Sequence, residues 1–219
     1  RDLKDSGMET EPAKMMFSEI ERIERLLKQL LMHSHPMPIK SQSFNLHELL
    51  DTVLSFERSS HPGLRFTAYY DASLPDIEAD RDKLHQVFLN LVRNASEACP
   101  ADGRVRVLTR HCAHWELAGT NLDPTRRYIL VSIEDEGPGI PEELRKNIFK
   151  PLFSTKKQGT GLGLSISFRL VESHGGQLRY QPSERSGACF QVILPESQSE
   201  SLEENSPNFV YQDLRKEIS

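Results

Sequence analysis

Residues 153–166 read FSTKKQGTGLGLSI, with glycines at 159, 161 and 163, Lys156 and Lys157 just before them, and an apolar run just after. Glycines spaced this closely, followed by a helical pattern, predict a loop that feeds a helix N-terminus. Unpaired N–H groups and the positive end of the helix dipole converge there and favour an anion such as phosphate. The spacing GxGxG is not the dinucleotide fingerprint GxGxxG, and no GxxxxGK[ST] loop occurs in the chain. The stretch by itself also fits a flexible surface loop ahead of a helix.

Reading outward, the pattern predicts helices over 162–174 and over 141–147, the latter with Pro141 in its first turn. Asn45-Leu46-His47-Glu48 resembles a capping box ahead of a helix to about Arg58. A helix over 81–99 carries Leu84, Val87, Phe88, Leu91, Ala95 and Ala98 on one face. Strands are predicted at 64–70, 104–111, 127–134, 177–181 and 188–194 from β-branched and aromatic content between turn residues. The alternation lacks a regular βαβ rhythm. The expected fold class is therefore α/β in the sense of an α+β sandwich, a mixed sheet covered by helices on one face.

Ahead of this domain, Met16, Ile20, Ile23, Leu27 and Leu30 draw a 4-3-4-3 stripe that predicts a bundle helix over 13–32. The two prolines of His33 to Pro38 (HSHPMP) detach it from the domain. The expected organisation is a partial helical hairpin over 1–35, a linker over 36–43, a domain over 44–195 and a disordered acidic tail over 196–219. The net charge is −5, and the tail holds six acids against Arg215 and Lys216, so the body carries no basic field of the kind nucleic acid requires. Three cysteines without a CxxC pair suit a reducing, cytoplasmic compartment. No apolar run approaches the roughly 20 residues of a membrane span, so no membrane segment is expected.

Two polar features stand beside the glycine loop. Asn90 and Asn94 are four apart on the helix 81–99 and project one above the other. Two carboxamide oxygens suit Mg²⁺, which takes few protein ligands and completes its shell with water and phosphate, although an isolated NxxxN also fits a solvated surface. Asp135 ends the strand of YILVSIEDEGPGIP, where a carboxylate can accept from an exocyclic amine and Gly137 and Gly139 leave room for a flat ring. A plain turn also explains DEGPGIP. His111, Cys112 and His114 form HCxH, but with no second pair of ligands they are read as structural, as is His174 at a helix C-terminus.

In order and spacing, NLVRNA (90–95), EDEGPGI (134–140) and IFKPLFSTKKQGTGLGLSI (148–166) resemble the N, G1, F and G2 boxes of the sensor histidine kinases. These share an ATP-binding fold, the Bergerat type, with gyrase, Hsp90 and MutL. The resemblance continues through HGGQLRY and SGACFQVILP, covers about 40–195, and is strongest to nitrogen-regulation kinases of the NtrB type.

The resemblance implies ATP and Mg²⁺ as cofactors. Asn94 would hold the metal on the phosphates with Asn90 assisting, and Asp135 would read the adenine amine with Gly137, Gly139 and Ile140 around the base. Residues 148–160 would form a mobile lid hinged at Phe149 and Phe153. Thr155, Lys156, Gly159, Thr160, Gly161, Leu162 and Gly163 would line the phosphates. Hydrolytic members of the fold place a glutamate four residues before the metal-binding asparagine, where this chain has Asn90, so transfer is favoured over hydrolysis. Glu97 stands where many sensor kinases carry a lysine, which shifts phosphate contact to Lys156 or Arg93.

The family's phosphoacceptor lies in a segment like HExxNPL, which this sequence lacks, so the acceptor is expected upstream. The implied partners are a second copy through the hairpin, an NtrC-like response regulator and a PII-type regulator. Two rival readings are a hydrolytic ATPase and a degenerate kinase acting as a dimerising module.

Overall fold

The computed structural model describes residues 39–156, 159–183 and 187–196. The expected helix over 13–32, the first three residues of the linker and the tail from 197 lie outside the described residues. Five strands form one mixed sheet in the order β2-β4-β5-β7-β6, made of Arg65–Tyr69 (β2), Arg104–His111 (β4), Tyr128–Asp135 (β5), Gln177–Pro182 (β6) and Ala188–Pro195 (β7). Only β2 and β4 run parallel; the other neighbours are antiparallel. Two further strands, Gln42–Phe44 (β1) and Ile77–Ala79 (β3), pair antiparallel beside it. The expected linker includes Gln42 and Ser43, which the structure instead pairs with Ala79 and Glu78.

Three helices cover one face of the sheet: Leu46–Ser60 (α1), Arg81–Ala98 (α2) and Gly163–Ser173 (α4). Alternation decides which strand residues meet them. Val105, Val107, Ile129, Val131, Ile133, Phe190 and Val192 point into one core with Leu84, Phe88 and Leu91 of α2 and Ile166 and Leu170 of α4. The opposite face has a small satellite of Leu117, Tyr128, Leu130 and Ile193. Burying each large aliphatic side chain contributes roughly 1.5–3 kcal/mol, so this single core dominates the stability.

Local signals explain the helix boundaries. Asn45 caps α1 by accepting from the backbone N–H groups of His47 and Glu48, and Asp80 caps α2 by accepting from Lys83 N–H. The expected helix over 141–147 is shorter, Glu142–Arg145 (α3), with Pro141 at its cap instead of in its first turn. Beyond it the chain continues as separate i→i+3 turns, Asn147 N–H to Leu144 and Lys150 N–H to Asn147, which do not propagate as an α-helix. His174 ends α4. Its Nδ1 lies 2.7 Å from the Leu170 carbonyl and its Nε2 accepts from Asp80 N–H at 3.1 Å, which ties this helix end to the start of α2.

The start of the tail also departs from expectation. The Glu196 side chain is 8% exposed, with its carboxylate 2.6 Å from His111 Nδ1, so this residue packs with the domain. His111 is thereby engaged as a structural group, and no cluster of three or more metal-ligating side chains occurs among the described residues. No described helix is long and apolar enough to cross a membrane.

Candidate functional site

The C-terminal end of β5 delivers Asp135 to the floor of the site. The residue is 2 % exposed, and Oδ1 accepts from Gly137 N–H at 2.9 Å and Ala188 N–H at 3.1 Å. Both bonds fall on one oxygen, which leaves Oδ2 as an acceptor for a ligand. Burial pushes the carboxyl above the ordinary carboxylate range, opposed by these two N–H donors.

Three glycines make the surroundings of Asp135 flat. A Cβ on Gly137 would stand 2.6 Å from the Ala98 carbonyl oxygen, and Gly139 (φ 73°) faces Gly187 across the loop. Gly187 (φ 94°) lies so close that a Cβ would overlap the Asp135 carbonyl oxygen. Ile140 packs at the edge of the core, and its carbonyl accepts from Arg145 Nε at 3.0 Å. Gly187 and Ala188 complete the Asp135 subsite, although no sequence motif assigns them to it. Their only signal is the SGA turn ahead of the last strand.

A second group gathers where α2 meets the start of α4. Asn90 Nδ2 donates to Ser167 Oγ at 2.9 Å, and its Oδ1 lies where a Cβ on Gly163 would have to sit. The glycine at the first position of α4 thus lets the two helices close on the Asn90 carboxamide. Asn94, one turn on, accepts from Lys156 Nζ at 3.3 Å, and the same ammonium is ion-paired with Glu97. Leu162, the N-cap of α4, is fully buried and offers no side-chain cap, so the first N–H groups of this 11-residue helix point to the site without a side-chain partner.

The segment over 148–160, expected to form a lid, is held at its two ends. Phe149 packs on Phe168 (5.3 Å between ring centroids) and Phe190 (6.4 Å), and Phe153 is half-buried against the core. Gly161 has φ 66°, and a Cβ there would stand 2.7 Å from both Leu152 O and Phe153 N. Lys156 N–H donates to Ser154 Oγ and Gly159 N–H to the Lys156 carbonyl, closing a short loop in which Thr155 and Thr160 are exposed.

Arg93 is placed differently from expectation. Its guanidinium pairs with the buried Glu57 of α1 at 3.3 Å and lies 6.0 Å from the Phe56 ring. It therefore braces α1 against α2 and is not gathered with Asn94 and Lys156.

The buried acceptor amid glycines lies against Ala98 at the end of α2, the helix that also carries the two amides facing the start of α4, an arrangement suited to a base at one end and phosphates at the other. Residues 79–198, which span α2, the Asp135 turn, the lid and α4, match the family model "Histidine kinase-, DNA gyrase B-, and HSP90-like ATPase". The chain belongs to this ATPase family.

Within the family it is similar to the sensory histidine kinase/phosphatase NtrB of Azospirillum brasilense, with 35% identity over 185 residues, 83% of this chain and 46% of that protein. Among solved structures it is similar to the catalytic domain of histidine kinase ThkA, with 33% identity and a TM-score of 0.61 over 72% of this chain and 96% of that one. ThkA in complex with response regulator protein TrrA matches with 30% identity and a TM-score of 0.65 over 89% of this chain and 53% of that one. The chain spans about half the length of the curated relative.

These likenesses bear out the expected ATPase family, the mixed sheet with helices on one face, and the resemblance to NtrB-type histidine kinases.

Proposed function

We infer that this chain binds Mg·ATP at this site and passes the γ-phosphoryl group to a histidine on a helical hairpin, from which a response regulator receives it. Asp135 Oδ2 would accept from the adenine amine, and Gly137, Gly139 and Gly187 would let the ring approach the backbone. Asn94 would hold the metal with Asn90 beside it, and Lys156 with the first N–H groups of α4 would take the phosphates. When bound, ATP supplies the phosphoryl group and Mg²⁺ offsets its charge.

The observation that favours transfer over hydrolysis is the state of Asn90. Its Nδ2 is committed to Ser167, and a neutral carboxamide cannot take a proton from water. The carboxylate one turn beyond Asn94, Glu97, is ion-paired with Lys156. The reading includes a homodimer formed through residues 1–35, an NtrC-like regulator, a PII-type partner and a cytoplasmic location. It is supported by the NtrB likeness, by the ThkA–TrrA complex and by the free thiols of Cys99, Cys112 and Cys189.

Titration calorimetry with and without Mg²⁺ tests the site. Asn94→Ala should remove most of the Mg²⁺-dependent part of the ATP affinity. An equal loss in both conditions would contradict the metal role.

A further inference from the structure

Lys156 reaches back from the lid to two oxygens of one face of α2, Asn94 Oδ1 at 3.3 Å and Glu97 Oε2 in an ion pair. The spacing 94 to 97 places these donors about one turn apart on the same side of the helix. An amide oxygen and a carboxylate oxygen sharing one cation is the donor set of a hard-cation site, and the ammonium stands in it as the cation. In the functional reading, Asn94 is the oxygen that Mg²⁺ needs and Lys156 is the charge that the phosphates need. Here each satisfies the other, and Glu97 supplies the charge that holds them together, because a lone neutral amide at 3.3 Å is a weak anchor for an ammonium.

We propose that Glu97 is a positioning residue that parks the lid lysine on Asn94, so that nucleotide entry is a cation exchange. On Mg·ATP binding, Asn94 would turn its oxygen to the metal, Lys156 would turn its ammonium to the phosphates, and Glu97 would be released to solvent. The inference rests on the reading of the site as one for Mg·ATP. Lys156 and Glu97 have side chains 45% and 41% exposed, so the pair is solvent-screened and its competition is modest. An exposed pair of this kind corresponds to a change of about two- to fivefold in affinity. A bare surface ion pair with no part in binding would leave that affinity unchanged.

The test uses the whole chain with Glu97→Gln, Lys156→Met and both together. Amine-directed labelling of Lys156, read at residue resolution by mass spectrometry, is measured before nucleotide is added, and Mg·ATP affinity is measured by calorimetry. Glu97→Gln should raise Lys156 labelling and tighten Mg·ATP about two- to fivefold, and this gain should vanish in the Lys156→Met background. Unchanged labelling overturns the parking. An affinity that stays equal overturns the exchange, and one that falls only when Mg²⁺ is present makes Glu97 a metal ligand instead. If the wild type binds no ATP, the functional reading itself fails and the exchange with it. If the wild type binds ATP and Glu97→Gln binds it no better, only the exchange fails.

Discussion

Asn90 of α2 donates to Ser167 Oγ of α4 at 2.9 Å, and Gly163, one turn before Ser167, leaves the space that the Asn90 oxygen fills. The carboxamide is thereby clamped between the two helices that, in the proposed reading, would shape the phosphate side of the site. Gly163→Ala should push the Asn90 oxygen out of this slot and break the bond to Ser167. A lost hydrogen bond costs about 1 kcal/mol, and the helix propensity gained by alanine offsets up to about the same amount. The expected outcome is a melting midpoint within a few degrees of wild type together with a clear loss of ATP affinity, measured by calorimetry. A variant that melts normally and binds ATP normally would show that the clamp has no bearing on the site.

Asp135→Asn separates stability from recognition. The asparagine oxygen can keep both backbone N–H donors, but its NH₂ group replaces the acceptor proposed for the adenine amine. The adenine contact should then cost about 1.5–3 kcal/mol, roughly 10- to 150-fold in ATP affinity, while GTP is much less affected. Unchanged ATP-to-GTP selectivity in a competition assay would remove Asp135 from base recognition.

The same substitution has a defined pH signature. Burial raises the folded-state pKa of Asp135 above its unfolded value, so the folded protein holds this proton to higher pH than the unfolded chain. The associated stability is present below the unfolded value of about 3.9 and is lost as pH rises through the folded value. The carboxamide of the variant does not titrate, so the stability of Asp135→Asn relative to wild type should grow across that window. Urea unfolding at several pH values checks this, and a constant difference would contradict it.

Two glycines should fail in different ways. A Cβ at Gly187 overlaps the Asp135 carbonyl oxygen at the end of the middle strand β5, and its φ of 94° is strained for any other residue. Gly187→Ala should therefore lower global stability by at least about 1–3 kcal/mol. Gly161 is also at positive φ (66°), but its neighbours are Leu152 and Phe153 of the lid, so Gly161→Ala should spare the global transition and expose the lid. Limited proteolysis together with thermal melting distinguishes the two. Equal loss of melting temperature in both variants would argue against an independently movable lid.

The long elements of the fold are legible in the sequence because their periodicity and caps agree. The face Leu84, Val87, Phe88 and Leu91 is fully buried, and Asn45 and Asp80 cap α1 and α2. Strands β1 and β3 are not legible, since three residues such as QSF carry no alternation and their pairing joins positions far apart in sequence. The same limit explains the site.

Asp135, Asn90, Asn94 and the glycine loop are visible as motifs, whereas their partners are long-range. Ser167 answers Asn90, Ala188 and Gly187 answer Asp135, and Glu57 claims Arg93. Buried Glu57 gives no local hint that it takes a cation from the neighbouring helix. Composition groups Glu196 with the acidic tail, because it cannot reveal that His111 and Arg127 lie beside it.

Phosphoryl transfer with slow hydrolysis is the central claim, and one measurement addresses it directly. The chain is incubated with Mg²⁺, γ-labelled ATP and a separate helical hairpin bearing a histidine in an HExxNPL-like segment, with a histidine-to-glutamine hairpin as control. Label should accumulate on the histidine hairpin alone, in acid-labile form, with little free phosphate in the absence of hairpin. Rapid phosphate release without any acceptor, and no label on the hairpin, would contradict the claim and make the protein a hydrolase.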